Sequence, residues 1–381
     1  MKLKYLPGLN TLRFLAAGFV VISHANISLD KLQIYPASTL AFVNRGGDAV
    51  DFFFTLSGFL ITYLLIGELN NTGTISIRQF YLRRVYRIWP LYFLVVAIGF
   101  ILLGYIYPAL YHQPFFGFKI PEGLLMFIFF IPNYAAKNYP VGLLNPLWSI
   151  GVEEQFYLFW APMVKYFKKY LLTMIITFIT VALIFYSLIY YQVFPINPKL
   201  QAFFLTQKFY SMAIGSIFGY ILYYRFESYD RSLFANKITQ ALVVSIILWH
   251  YLFHNVVETG MWFKVFFSFL YGFLILNVSA VTEKLLQLEK PILSYLGVIS
   301  YGIYMYHMLI DYQLRYLIPK LAFLHLPKTL IIPLYYIILL LATIAVAALS
   351  YHYFEKFFLR LKDRLHNKHK KLSGNYVGTE N

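Results

Sequence analysis

The sequence predicts an all-α integral membrane protein that crosses the bilayer about ten times. Of its 381 residues, 60% are hydrophobic and only 13% are charged, whereas soluble domains keep roughly a quarter of their residues charged. Apolar runs of about 20 residues, the length that spans a bilayer as a helix, recur along the whole chain. The absence of cysteine excludes disulfides, thiolate nucleophiles and cysteine-ligated zinc.

Ten apolar runs are long enough to form spanning helices. The first follows the N-terminus without a small-residue cleavage site, so we interpret it as a membrane helix and not as a removed signal peptide. Residues 1–358 are predicted to form one membrane domain, and 359–381 a basic cytoplasmic tail that lies on anionic lipid. The predicted spans are 10–28, 47–66, 87–107, 146–164, 171–193, 206–224, 237–255, 261–281, 293–312 and 329–353.

The distribution of Lys and Arg orients the chain. About two thirds of the 32 basic residues fall on the cytoplasmic side if the N-terminus is inside, as the positive-inside rule requires. A crossing at 123–135 would put the basic tail outside, so we predict that 123–145 is a re-entrant or outward-lying segment and that both termini are cytoplasmic. We assign the net charge of +16 to cytoplasmic loops and expect no nucleic-acid partner.

The first predicted span carries two ionisable residues, which are costly inside a membrane and therefore mark candidate functional sites. Arg13 and His24 are 11 positions apart, which places them on one helix face and about 16 Å apart along the axis. A basic anchor for an anionic ligand and a titratable imidazole would then line one stripe. The alternative is an arginine that snorkels to the inner interface and a histidine in the outer headgroup region.

The second predicted span begins with two aspartates on one face, Asp48 and Asp51. We interpret Asp48 as a helix cap. Asp51 lies deeper, and we expect it to orient the imidazole of His24, as a carboxylate orients a catalytic histidine. Ser57 and Gly58, in mid-helix, favour close packing of a neighbouring helix.

Three arginines lie on one helical turn before the third span: Arg83, Arg84 and Arg87. Guanidinium groups at such a short separation repel one another unless an anion lies between them. They are suited to bidentate contacts with phosphate. Topology signalling or phospholipid binding is the alternative, and both alternatives predict the cytoplasmic face.

Two glutamates stand in the otherwise apolar run at 146–164. Glu153 and Glu154 are expected to serve a site or a structural ion pair, since a buried unpaired carboxylate is costly; the sequence does not distinguish them. His307, in the outer half of a late span, is either functional or a hydrogen-bonded core histidine. Three further histidines have no familiar metal-site spacing, and we expect no metal: His112, His250 and His254.

Together these segments resemble the acyltransferase-3 superfamily, bacterial membrane acyltransferases that modify cell-envelope glycans and secreted small molecules. The resemblance extends from Leu9 to about Phe358 and depends on five motifs in matching order. Asn10, where Asp is common, and Ala161, which interrupts a Trp-Pro pair, depart from the pattern. The motifs are Arg13 with His24; Asp51, Phe52, Phe53, Ser57, Gly58 and Phe59; Arg84 with Arg87; Trp148 through Tyr157; and Ser300, Tyr301, Tyr304 and His307.

The resemblance implies ten transmembrane helices, an acyl-CoA donor that approaches from the cytoplasm, and an acceptor on or near the outer side. It implies that the catalytic histidine is His24 and that Arg84 and Arg87 bind the coenzyme. We therefore expect a multi-pass protein of the bacterial inner membrane that moves an acyl group, most simply acetyl, to a hydroxyl of an envelope glycan or small molecule. The alternative is a transporter or flippase for a lipid-linked glycan or small molecule.

The expected site has three parts. We expect His24 to act as general base. The catalytic group is His24, Asp51, Glu153 and Glu154; the donor-binding group is Arg13, Arg84 and Arg87; and the acceptor-binding group is Trp148, Tyr301 and His307.

Overall fold

The computed structural model describes residues 6–34, 41–253, 260–318 and 327–362, with only the backbone of residues 41 and 42. Within these ranges the chain is helical and has no β-strand. Two features named above lie outside the described ranges: His254, and residues 363–381, which make up most of the expected basic tail.

Long helices alternate with short ones along the described chain. Two π turns, Leu102–Ile106 and Tyr351–Glu355, follow directly on long helices and extend them. In chain order the helices are α1 (Leu9–Lys31), α2 (Gly46–Thr72), α3 (Ile77–Ile101), α4 (Tyr107–Tyr111), α5 (Ile120–Ile128), α6 (Pro132–Asn138), α7 (Leu147–Tyr166), α8 (Leu171–Tyr190), α9 (Pro198–Phe204), α10 (Phe209–Tyr224), α11 (Phe226–Asp230), α12 (Lys237–Phe253), α13 (Met261–Ser279), α14 (Pro291–Val298), α15 (Ser300–Leu317) and α16 (Lys328–Ser350).

Among the described residues, 6 helical segments are long and apolar enough to cross a membrane. The pair α14 and α15 would make a seventh, although it bends by 65° at a short break. The prediction of an all-α, multi-pass membrane protein is therefore confirmed. The six segments are Leu9–Lys31, Gly46–Thr72, Ile77–Tyr111, Lys168–Tyr190, Met261–Ser279 and Lys328–Lys362.

Other predicted spans are helical but do not meet the same length and hydropathy test. Helix α7 has 20 residues but includes two glutamates, and α10 and α12 have only 16 and 17 residues. The prediction of one continuous helix at 293–312 was wrong, because the break between α14 and α15 divides this segment. The segment 123–145 forms short helices and no long one, with Phe130 between α5 and α6 at φ 55°, in the left-handed region.

Helices α2 and α10 touch through their backbones. A Cβ added to Gly58 would lie 1.7 Å from the carbonyl oxygen of Met212, and one added to Gly215 would lie 1.9 Å from that of Thr55. Only glycine permits this approach, which is common in helix packing within membranes. The predicted packing role of Gly58 is therefore confirmed.

The contacts of α2 give the direction of its neighbours. Near the start of α2, Lys208 at the start of α10 contacts Asp51, and near its end Asn70 donates to the hydroxyl of Tyr224 at 2.8 Å. Helix α10 is therefore parallel to α2. In the antiparallel helix α1, Ser23 lies against Gly46. The bundle thus has a His24 end, where α1 ends and α2 begins, and a Glu68 end, where α2 ends and α3 begins.

Candidate active site

A cavity of about 280 Å³ lies between α1, α2, α3, α7 and the α14–α15 pair. Its walls are mostly apolar and aromatic, but four charged side chains line it: Arg13, Arg84, Arg87 and Glu153. We call it the arginine cavity. Three guanidinium groups and one carboxylate give it an excess of positive charge, so its lining suits an anionic ligand.

The guanidinium groups of the cavity have few protein partners. The Nε of Arg84 is buried and has no hydrogen-bond partner among the described residues; the Arg84 guanidinium carbon lies 5.3 Å from the ring centroid of Tyr157. Arg13 donates to the side-chain oxygen of Asn10 at 3.2 Å. Arg83 differs, because it forms a salt bridge of 2.6 Å with Glu68. The structure therefore separates Arg83 from the arginines of the cavity.

The two adjacent glutamates of α7 have different surroundings. Glu153 lines the cavity and accepts hydrogen bonds from the hydroxyls of Ser57 at 2.8 Å and Tyr157 at 3.3 Å. Glu154 accepts from the indole nitrogen of Trp89 at 3.0 Å and is not part of the lining. Glu153 is thus the carboxylate that a ligand in the cavity would meet.

His24 lies against a second histidine. Its Nδ1 is 3.1 Å from Nε2 of His307 and 3.0 Å from the carbonyl oxygen of Val20. His307 is fully buried, and its Nδ1 lies 2.6 Å from the carbonyl oxygen of Tyr304. We call His24 and His307 the histidine pair. Tyr304 joins this pair to the cavity, because its side chain lines the cavity and its ring centroid is 5.7 Å from that of His307.

Among the described residues, Asp51 and His24 form no hydrogen bond with each other. The carboxylate of Asp51 is buried and accepts from Nζ of Lys208 at 2.5 Å. The expectation that Asp51 orients His24 was therefore wrong, because the Asp51 carboxylate bonds to Lys208, which was not among the predicted site residues. Asp48 does not act as a simple cap either, since it contacts Nε2 of His250 at 3.0 Å and Arg45 at 3.3 Å.

The other expected residues lie at or near the cavity. Arg13 lines it, whereas His24, on the same helix, is not part of the lining. Tyr301 lines it and donates to the carbonyl oxygen of Ile88 at 2.9 Å. The indole of Trp148 packs edge-on against Phe54, a lining residue, with ring centroids 5.9 Å apart. Five of the ten predicted site residues thus line the cavity, and the histidine pair lies behind Tyr304, whereas Asp51 and Glu154 are not in the lining.

The family model of acyltransferase-3, described as an acyltransferase domain, matches residues 6–352. The chain belongs to this family, and the predicted enzyme class, an acyltransferase, is confirmed at that level. Peptidoglycan O-acetyltransferase OatA of Listeria monocytogenes is 30% identical over 176 residues, which cover 44% of this chain and 25% of that relative.

O-acetyltransferase OatA of Staphylococcus aureus is 32% identical over 165 residues, which cover 41% of this chain and 24% of that relative. The chain spans about a quarter of the length of the curated relatives it matches. No solved structure matches the chain.

Proposed function

We propose that this chain is a membrane O-acyltransferase. In this proposal it takes an acyl group, acetyl in the simplest case, from cytoplasmic acyl-CoA and transfers it to a hydroxyl of a cell-envelope glycan or a similar small-molecule acceptor. The family supports the reaction class, and relatives named as O-acetyltransferases support oxygen as the acceptor atom.

The observation that carries the donor assignment is the charge of the arginine cavity. Buried charges need partners, and the lining offers one carboxylate to three guanidinium groups. The buried Nε of Arg84 has no partner among the described residues. The phosphates of coenzyme A would supply the missing acceptors, since guanidinium binds phosphate through paired hydrogen bonds.

His24 is the proposed general base. It would remove the proton of the acceptor hydroxyl while that oxygen attacks the thioester carbonyl. The C–O bond of the ester forms, the C–S bond breaks, and the imidazole returns its proton to the leaving thiolate. A covalent acyl-histidine is an alternative route to the same products.

The acyl group must travel from the cavity to the histidine pair. On that side the cavity is bounded by Phe53 and Tyr304, whose ring centroids are 6.1 Å apart. Since Arg13 and His24 are about 16 Å apart along α1, an extended thioester arm held by its phosphates near Arg13 would reach His24 by passing these two rings. Trp148, which packs against the lining residue Phe54, offers an aromatic face for the sugar of an acceptor.

The proposed topology has ten crossings, both termini in the cytoplasm, and the bacterial inner membrane as its location. The six long segments and the α14–α15 pair reach ten with α7, α10 and α12. The Asp51–Lys208 and Asn70–Tyr224 contacts join α10 to both ends of α2. The Asp48–His250 contact joins the end of α12 to the start of α2. The Glu68 end, with its arginines, would face the cytoplasm.

A transfer assay on purified protein tests the activity. The protein in lipid vesicles would receive radiolabelled acetyl-CoA and an envelope glycan fraction, with a His24→Ala variant beside it. We expect label in the glycan and free coenzyme A with the natural chain, and neither with the variant. A transporter would leave the thioester intact in both samples, which would overturn the proposal.

Cysteine labelling tests the topology, and the chain suits it because it has no cysteine of its own. We expect Val193→Cys, between α8 and α9, to react with a membrane-impermeant maleimide in intact cells. Lys169→Cys, between α7 and α8, should react only after the membrane is permeabilised. The reverse pattern would contradict the proposed orientation.

A further inference from the structure

The histidine pair contains a functional arrangement that goes beyond the expected role of His307 in acceptor binding. We propose that His307 is the positioning residue of the reaction: its Nε2 accepts the Nδ1–H of His24, so that the lone pair on Nε2 of His24 faces the acceptor hydroxyl. This inference depends on the proposed function, in which His24 is the base. His307 takes the orienting role that was expected of Asp51, whose carboxylate is bonded to Lys208.

The proton on His307 follows from its carbonyl contact. A carbonyl oxygen can only accept, so Nδ1 of His307, 2.6 Å from the oxygen of Tyr304, carries the proton. A neutral imidazole has one N–H, which leaves Nε2 of His307 as an acceptor. A second proton is disfavoured, since the ring is fully buried and no carboxylate among the described residues bonds to it.

The proton of His24 is located in the same way. Its Nδ1 lies 3.0 Å from the carbonyl oxygen of Val20 and 3.1 Å from the acceptor nitrogen of His307. Both neighbours accept, so Nδ1 of His24 carries the proton. The reverse arrangement, with His307 donating from Nε2, would set a bare nitrogen against the Tyr304 carbonyl. Nε2 of His24 therefore holds the lone pair, and no described residue hydrogen-bonds to it.

A second contact fixes α1, which carries His24, relative to α15, which carries His307. One turn beyond the pair on both helices, the hydroxyl of Ser28 donates to Asp311 at 2.6 Å. Asp311 is fully buried and also accepts from the hydroxyl of Tyr335 at 2.8 Å. Because His24 and Ser28, like His307 and Asp311, are four residues apart, this clamp fixes the distance between the two rings.

The arrangement has a consequence for the reaction. When His24 takes the proton of the acceptor hydroxyl on Nε2, its Nδ1–H remains bonded to His307, which stabilises the imidazolium as an orienting acceptor does in hydrolytic triads. His307 neither touches the substrate nor gains a proton. Its effect should therefore appear in kcat, while donor binding in the arginine cavity stays unchanged.

Nitrogen-15 NMR on protein labelled at histidine tests the protonation without any assay of activity. The signals of His24 would be assigned by their loss in His24→Ala. We expect natural His24 to have a protonated Nδ1 and a bare Nε2, and His307→Leu to shift the Nδ1 signal, because that N–H then keeps only the Val20 carbonyl of its two described acceptors. A natural chain with a protonated Nε2 on His24 would overturn the proposal.

Kinetics of two substitutions test the positioning role. His307→Leu removes the acceptor, and we expect kcat to fall on the order of 10²- to 10⁴-fold, as when a catalytic histidine loses its orienting partner. His307→Gln offers an amide oxygen at the same place and should retain most of the activity. Both should keep the KM for acetyl-CoA. Equal losses in the two variants, or an active His307→Leu, would overturn the proposal.

The matched control is His352→Leu. His352 accepts from or donates to the hydroxyl of Tyr295 at 3.1 Å, on the π turn after α16, and its loss should leave kcat and KM unchanged. The two proposals fail separately. An inactive natural chain, or an active His24→Ala, counts against the proposed function, whereas a required His24 with a dispensable His307 counts against the positioning role alone.

Discussion

The arginine cavity and the histidine pair are both polar sites inside an apolar bundle, yet their hydrogen bonding is opposite. In the cavity, guanidinium groups outnumber carboxylates and a buried Nε has no partner in the described chain. In the histidine pair, both Nδ1 atoms and one Nε2 atom have partners within 3.1 Å. Unmatched charge is suited to a ligand that arrives from outside, whereas a matched network holds a reactive group in a fixed orientation.

The largest effect should come from His24→Ala. Without the base, we expect acyl transfer to fall on the order of 10²- to 10⁴-fold, while the protein still accumulates in membranes. The transfer assay with radiolabelled acetyl-CoA measures this effect. Activity near that of the natural chain would contradict a catalytic role for the histidine pair, and only the proposed donor binding in the arginine cavity would stand.

Asp51→Asn separates the aspartate at the His24 end from the histidine pair. The substitution leaves the half-buried ammonium of Lys208 without its partner, and breaking a buried ion pair costs about 3–5 kcal/mol. We therefore expect a lower melting temperature in detergent, with kcat nearly unchanged in the folded fraction. The double variant Asp51→Asn with Lys208→Met should recover part of the stability. A collapse of kcat at natural stability would return Asp51 to the catalytic group.

Substitutions of the arginines test the cavity. Arg84→Ala or Arg87→Ala removes a charged donor to phosphate, worth about 1.5–3 kcal/mol, so the KM for acetyl-CoA should rise about 10- to 100-fold. Arg83→Ala is the matched control, because Arg83 is paired with Glu68 and should leave KM unchanged. The same rise in all three variants would indicate a general effect of charge at the Glu68 end.

The smallest effect should distinguish the two glutamates. Glu153→Gln keeps one of the two oxygen acceptors that Ser57 and Tyr157 use but removes the single carboxylate among the described residues that line the cavity. We expect acetyl-CoA to bind about 2- to 5-fold more tightly, equivalent to roughly 1 kcal/mol or less. Glu154→Gln should leave binding unchanged, since Glu154 contacts Trp89 outside the lining. Calorimetry on the purified variants would measure both, and a large loss of kcat in Glu153→Gln would point to a catalytic role.

Helices and local spacing could be predicted from the sequence because they depend on neighbouring residues. Apolar length gave the long helices, and Arg13 was identified as a candidate site residue because charges inside apolar helices are costly. The break between α14 and α15 was missed, since both halves are apolar and periodicity alone does not reveal a bend.

Contacts between distant segments could not be predicted. His24 and His307 are 283 positions apart, and Asp51 and Lys208 are 157 positions apart. Hydrophobic pattern does not report which helices are neighbours, so Asp51, the deeper aspartate of the next predicted span, was chosen as the partner of His24. A signal for Lys208 was present, because the predicted topology left it on the outer side, where lysines are less common.

Donor binding by the arginine cavity and catalysis by the histidine pair are separated most directly by the equilibrium binding of acetyl-CoA to purified variants. We expect His24→Ala to bind acetyl-CoA as tightly as the natural chain, although it transfers nothing. The double variant Arg84→Ala with Arg87→Ala should bind about 100-fold more weakly or worse. Loss of binding in His24→Ala, or natural affinity in the arginine double variant, would contradict the separate roles of the cavity and the histidine pair.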